Sequence, residues 1–322
     1  MSTRADDLID RRRLRRKLTF WRVLAFLVLA IAILASARWL FGDTLAAGPH
    51  IAQVRVEGTI LEDKELLELL EDVRRSSLVE GVIITVDSPG GTTAGGEAVF
   101  DEIRRVAAEK PVVAQIGTLA ASAGYLVASA ADHIVARQTS IVGSIGVIIQ
   151  YPDVTQLLAK LGVKVEEVKS TPLKAEPSPF NPTTEQERQM LAAMIRDSYD
   201  WFVNLISERR KMPRAEVLAI ADGSVFTGRQ AAERRLVDTL GGEREAKAWL
   251  VERGVSEDLE IVEWKPSDAG QFFFLPGSAA EWIGGLLGLP RQGELLERLG
   301  MERIFLDGLL SLWQPETAGL SE

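Results

Sequence analysis

No cysteine occurs in the 322 residues, and histidine occurs only twice, at His50 and His133. The first absence excludes disulfides, thiolate metal sites and a cysteine nucleophile, and leaves the redox compartment unreadable. The second excludes a histidine-rich metal centre and gives any serine triad only two imidazoles to draw on. Positive charge is scarce in most of the chain. Residues 1–22 hold eight basic residues against Asp6, Asp7 and Asp10, so the remaining 300 residues carry 29 basic against 43 acidic side chains. A body this acidic is a poor partner for nucleic acid. No internal repeat is present, and nothing calls for a cofactor.

A long uninterrupted apolar run is also missing. Val23–Ala37 is free of charge, but 15 residues rise only about 22 Å as a helix, short of a hydrocarbon core of about 30 Å. Trp21, Arg22 and the stretch from Arg38 to Phe41 close that gap, because arginines snorkel and tryptophans favour the interface. The preceding "RRRLRRK" (11–17) should then remain cytoplasmic, with the body outside the cytoplasm at an inner or plasma membrane. A cleaved signal peptide ending at "ASA" (35–37) is the rival reading. The expected organisation is a basic arm (1–22), a transmembrane anchor (23–41), a linker (42–50), a catalytic body (51–264) and an apolar, proline-interrupted tail (265–322).

With 46% hydrophobic and 26% charged residues, most of the chain can build a proper core. Strand-like runs at 51–60, 81–91, 111–117, 133–138, 141–150 and 258–264 alternate with helical patterns at 63–77, 95–110, 122–131 and 183–211. Alternation of this kind predicts an α/β fold with mainly parallel pairing. "GVIITVDSPGG" (81–91) has the continuous apolar run of a strand buried on both faces. Asp63 is placed to cap the first helix.

Two turns and one helix start stand out. "DSPGG" (87–91) and "GSIGV" (143–147) each end a strand in glycine, which permits a tight turn or a backbone N–H close to a reacting carbonyl. "LAASAGYLVASAAD" (119–132) carries almost only small residues before Tyr125. Close packing of a buried helix would use them, and so would a serine nucleophile at Ser122 that needs room for substrate. Unpaired N–H groups at the start of that helix would stabilise developing negative charge.

Taken in order, "DSPGG", "AASAGY", "VGSIGV" and "STPLKAEPSPF" (170–180) resemble the signal peptide peptidase A family of serine–lysine peptidases over roughly residues 51–264. The resemblance implies a ClpP/crotonase-like α/β fold of repeated β-β-α units. It also implies Ser122 as nucleophile, Lys174 as general base, the Gly91 amide as oxyanion donor and Ser144 as the hydroxyl that orients the lysine. Its single-copy form implies a homo-oligomer of about eight chains, by closed symmetry, in which serine and lysine of one site come from different copies. The implied substrates are apolar peptides such as signal peptide remnants. Two positions depart from the family pattern, Ala123 after the serine in place of glycine and Asn181 after "SPF" in place of arginine.

Lysine chemistry fits the missing histidines. A free lysine with a pKa near 10.4 is neutral in on the order of one molecule in 10³ near pH 7. Burial must lower that by about three pH units, roughly 4 kcal/mol, before it serves as a base. Lys174 has small and apolar neighbours, whereas Lys164 and Lys169 lie near Glu166 and Glu167, which favour the charged form. His133 reads as structural and His50 as a linker residue. An inactive membrane scaffold, a related membrane peptidase that cuts one specific membrane protein, and a crotonase-like acyl-CoA enzyme are the competing functions. The intact serine and lysine argue against the scaffold. The membrane anchor and the lack of an obvious basic site for the CoA phosphates argue against the acyl-CoA enzyme.

Overall fold

The computed structural model describes residues 19–31, 33 and 48–266, together with the backbone of 310–312. The chain divides into two units, Met1–Pro49 and His50–Glu322. In the first, residues 19–31 are helical, and among the described residues no helix is long and apolar enough to cross a membrane. Most of the basic arm, most of the anchor beyond residue 31, most of the linker and nearly all of the tail lie outside the described residues.

The second unit begins with β1 (His50–Ile60), α1 (Lys64–Arg75), β2 (Val79–Thr92), α2 (Thr93–Ala107), β3 (Val112–Ala121) and α3 (Ala123–Ser129). β1, β2 and β3 pair in parallel, with Ala52 opposite Val82 and Val82 opposite Val112, and the register shifts between Glu57 and Thr59 on β1 and between Val86 and Ser88 on β2. β4 (His133–Ala136) pairs with the first half of β3, and β5 (Ile141–Gly143) with its last three residues. β8 (Ile261–Trp264) adds in parallel to the far side of β1. β6 (Val225–Thr227) closes the other edge, antiparallel to β5, and β7 (Thr239–Leu240) extends β4. This mainly parallel α/β sheet is compatible with a ClpP/crotonase-like fold.

The period-2 alternation of the strands sorts the core. Val54, Val56, Ile84, Val86, Ala114 and Ile116 face one side, against Leu70 and Val73 of α1 and Val99 and Ile103 of α2. α5 (Glu185–Arg209) adds Phe202, Val203 and Ile206 to the same cluster. Ile51, Ile83, Val113 and Val135 face the other side, against Trp249 and Leu250 of α8 (Glu243–Glu252). Each of these large side chains contributes about 1.5–3 kcal/mol by leaving water. At the N-terminal end of α8 the same face turns polar. Gln53 donates to Thr85 Oγ1 (3.0 Å) and to Glu243, and Thr85 donates to Gln115.

Local signals explain the helix starts. Asp63 accepts from the amides of Glu65 and Leu66 at the start of α1. Thr184 and Glu187 form a reciprocal capping box on α5. Such caps contribute about 1 kcal/mol each. The remaining helices are α4 (Thr155–Leu161), α6 (Arg214–Leu218) and α7 (Gly228–Glu233).

Candidate active site

β3 splays, and the splay makes the site. Its first half follows β2 on one side and β4 on the other; its last residues follow β5, with Ala121 opposite Gly143. The next residue, Ser122, donates its amide to the Gly143 carbonyl (2.8 Å) and accepts from the Leu126 amide to open α3. Its φ of 56° and ψ of −120° make a sharp strand-to-helix corner. A non-glycine residue in such a conformation costs about 1–3 kcal/mol and persists only where its surroundings fix it. Serine at a helix start ordinarily caps the helix, yet Ser122 makes no capping bond.

The small residues serve both readings of this stretch. Ala120, Ala121 and Ala123 are fully buried. A Cβ on Gly124 would lie 2.7 Å from the Ser88 carbonyl oxygen, so only glycine lets α3 abut β2. A Cβ on Gly96 would lie 3.1 Å from that of Ala123. The methyl group that departs from the family pattern therefore faces α2 at a place where α2 leaves room. Gly124→Ala should destabilise the fold by about 1–3 kcal/mol, the range for overpacking. An unchanged melting temperature for that variant would contradict this packing.

The end of β2 approaches the same corner. Gly90 has φ 121°. Ser88, fully buried, donates to the Gly58 carbonyl (2.6 Å) and accepts from the Gly90 amide (3.1 Å). A Cβ on Gly91 would overlap the Ile60 carbonyl oxygen of β1. Gly91 is thus required by strand packing. Ser88 was not singled out from sequence, although it stands inside "DSPGG"; its hydroxyl shapes the turn that carries Gly91.

Ser144 lies one residue beyond Gly143, at φ 51°, buried, with its amide donated to the Ser224 carbonyl (2.8 Å). The strand expected over 141–150 stops here, because Gly143 at φ 113° and Ser144 turn the backbone out of the sheet. Ser122, Gly91 and Ser144 are therefore gathered at one end of the sheet.

Lys174 is placed differently. It is exposed, in a turn where its amide donates to the Thr171 carbonyl (3.1 Å), next to Ala175 at φ 61°. Residues around it pack little: α4 buries no residue, and Leu157, Leu161, Val163, Val165 and Val168 are all exposed. Lys169 is gripped by Glu167 (2.5 Å) and Glu176. These bonds, Glu167's first, hold it above the ordinary lysine range. A charge held on Lys169 in this way disfavours the neutral form that a general base needs.

Both histidines are remote. His133 pairs opposite Val113 on β3, eight residues before Ala121, a separation of roughly 26 Å at about 3.3 Å per residue. Its ring stacks on Trp249 (5.1 Å between centroids), its Nε2 lies 2.9 Å from Thr239 Oγ1, and burial pushes its pKa down. His50 is not a linker residue. It opens β1, is buried, stacks on Trp264 and accepts from that indole N–H (3.0 Å). Among the described residues no group of three or more acidic or imidazole side chains is placed to hold a metal ion.

Comparison with known proteins shows the family. The model of peptidase family S49 matches residues 104–255. A Methanocaldococcus jannaschii protein named as a protease is 36% identical over 238 residues, 74% of each chain. A protein named for signal peptide peptidase SppA from Enterococcus faecium is 30% identical over 254 residues, again 74% of each chain. Protease 4 of Haemophilus influenzae is 34% identical over 243 residues, which are 72% of this chain but 37% of that longer protein. The first two relatives match at single length, as a one-copy chain should. The chain is a single-copy member of the signal peptide peptidase A family, peptidase family S49, and a serine peptidase.

Proposed function

We propose that this serine peptidase is a membrane-anchored endopeptidase that cuts apolar peptides, such as signal peptide remnants, outside the cytoplasm with a Ser122–Lys174 dyad. The observation that carries the reading is the strained corner at Ser122, with both histidines at the far end of the sheet. A serine there needs a base other than imidazole, and lysine is the known substitute. In the proposed reaction neutral Lys174 takes the Ser122 hydroxyl proton as Oγ attacks the scissile carbonyl. The Gly91 N–H stabilises the oxyanion, and the Lys174 ammonium returns the proton to the leaving amine. Water then releases the acyl group by the same route, with Ser144 orienting the lysine.

Assembly belongs to the same proposal. A lysine becomes a base only when it loses water, whereas Lys174 is exposed in the single chain, on an arm with an apolar surface of its own. A second copy would cover both, so that Ser122 of one chain meets Lys174 of the next in a ring of about eight copies closed by symmetry. The charge-free run of 23–37 behind a basic arm supports anchoring, with the body outside the cytoplasm.

Covalent labelling by a fluorophosphonate probe tests the reading: wild type should label and Ser122→Ala should not. Labelling retained by Ser122→Ala would place the nucleophile elsewhere. The pocket beside Ser122 should accept small or aliphatic side chains, because a buried charge needs a partner. A peptide series varying only the residue before the cut should show Ala and Leu preferred. Efficient cleavage after Arg or Asp would refute the apolar pocket.

A further inference from the structure

Two glycines in succession direct their own backbone less than any other pair, because each reaches conformations closed to other residues. Gly90 and Gly91 are such a pair, and Gly90 stands at φ 121°. An oxyanion donor has the opposite requirement: its N–H must already point where negative charge develops, about 2.7–3.1 Å from the forming oxyanion. Contacts from outside the pair have to supply the direction. The backbone of Gly91 lies against β1, where a Cβ would overlap the Ile60 carbonyl oxygen. Gly90 is held by Ser88, whose hydroxyl accepts from the Gly90 amide (3.1 Å) and donates to the Gly58 carbonyl (2.6 Å). The regular ladder is interrupted at this level. Pairing of β1 with β2 shifts register between Glu57 and Thr59, pairing of β2 with β3 shifts between Val86 and Ser88, and Thr59 opposite Gly90 resumes the first. The Ser88 hydroxyl bridges that interruption.

The backbone of Ser88 also meets the nucleophile's helix. A Cβ on Gly124 would lie 2.7 Å from the Ser88 carbonyl oxygen. One fully buried residue thus abuts both the turn that carries Gly91 and the helix that Ser122 opens. We propose that Ser88 is a positioning residue of the peptidase reaction, its hydroxyl holding the Gly90–Gly91 peptide so that the Gly91 N–H meets the oxyanion. The inference rests on the reading of Gly91 as oxyanion donor. Buried as it is, Ser88 acts through Gly91 and not on the substrate. Removing an oxyanion donor outright costs about 10²–10³ in turnover. A donor kept in place but no longer held in direction should lose part of that.

Ser88→Ala in the full-length chain tests the proposal. Hydrolysis of an apolar reporter peptide should show kcat lowered about 10–100-fold and KM within about twofold of wild type, because the N–H stabilises the transition state and not the bound substrate. The variant also leaves the Gly58 carbonyl and the Gly90 N–H short of a buried partner, so turnover is expressed per site titrated with a fluorophosphonate. Ser88→Cys keeps a side chain of similar size with a weak hydrogen-bonding group. Its kcat should fall between the other two, and it carries the test should the alanine variant not fold. A peptide aldehyde gives a readout that packing alone would not move. Ser122 Oγ adds to the aldehyde carbon, the hydroxyl proton passes to the general base, and the carbonyl oxygen becomes the oxyanion. Affinity for the aldehyde should fall by about the same factor as kcat, while the matching peptide alcohol, which forms no bond to Ser122, binds as it does to wild type. Unchanged kcat per site, a raised KM with kcat intact, or equal loss of aldehyde and alcohol affinity would overturn the role of Ser88. A crystal structure of the wild-type aldehyde adduct separates the two possible failures. An oxyanion out of hydrogen-bond reach of the Gly91 amide defeats the Gly91 reading. An oxyanion bound there, with turnover unaffected in Ser88→Ala, defeats the positioning role alone.

Discussion

Ser122→Ala is expected to hydrolyse peptides at least about 10³-fold more slowly than wild type while folding normally, the scale seen when a nucleophile is removed from a serine hydrolase. The substitution removes one oxygen from a buried corner and leaves the amide bond to Gly143 and the start of α3 in place. Alanine at φ 56° meets the same backbone cost as serine, so the melting temperature should move little. Loss of activity with an intact fold separates a chemical role for Ser122 from a packing role. Close to wild-type hydrolysis by the purified variant would leave only the packing role.

Lys174→Arg is expected to be inactive, though it keeps the charge and most of the length. Arginine stays protonated at any pH where the protein is folded and cannot accept the serine proton. The exposure of Lys174 in the single chain makes the wild-type folding stability insensitive to this change, so activity alone should respond. Lys169→Ala serves as the contrasting variant, since Lys169 is committed to Glu167 and Glu176. It should retain turnover. Activity in the arginine variant, or its loss through Lys169→Ala alone, would move the base to another lysine.

Much of the fold was legible because its signals are local. The continuous apolar runs at 81–91 and 111–117 became β2 and β3, the buried centre of the sheet. Asp63 capped the helix it was expected to cap. The run 141–150 misled because its β-branched residues read as a strand, while two left-handed residues, Gly143 and Ser144, end the strand after three positions. His50 misled because its partner, Trp264, is 214 residues away, and no local pattern marks such a contact. At the site, composition alone left Ser122 undecided between packing and chemistry. The strained corner settles neither role by itself, but it shows a serine held where helix capping does not explain it. The role of Ser88 was hidden because its hydroxyl bonds to Gly58, on a different strand. The pairing of the short strand Leu310–Leu312 with the end of β2 was illegible, since nothing near residue 310 refers to the end of β2.

The most direct test of the account is complementation between two dead chains. Ser122→Ala and Lys174→Ala, carrying different tags, are co-expressed, purified through both tags and assayed for hydrolysis of an apolar peptide. If serine and lysine of one site come from neighbouring copies, mixed assemblies contain some sites with both groups intact. A substantial fraction of wild-type activity should return, while each variant alone stays inactive. Doubly tagged assemblies that form but remain inactive would contradict the shared site and place the dyad within one chain.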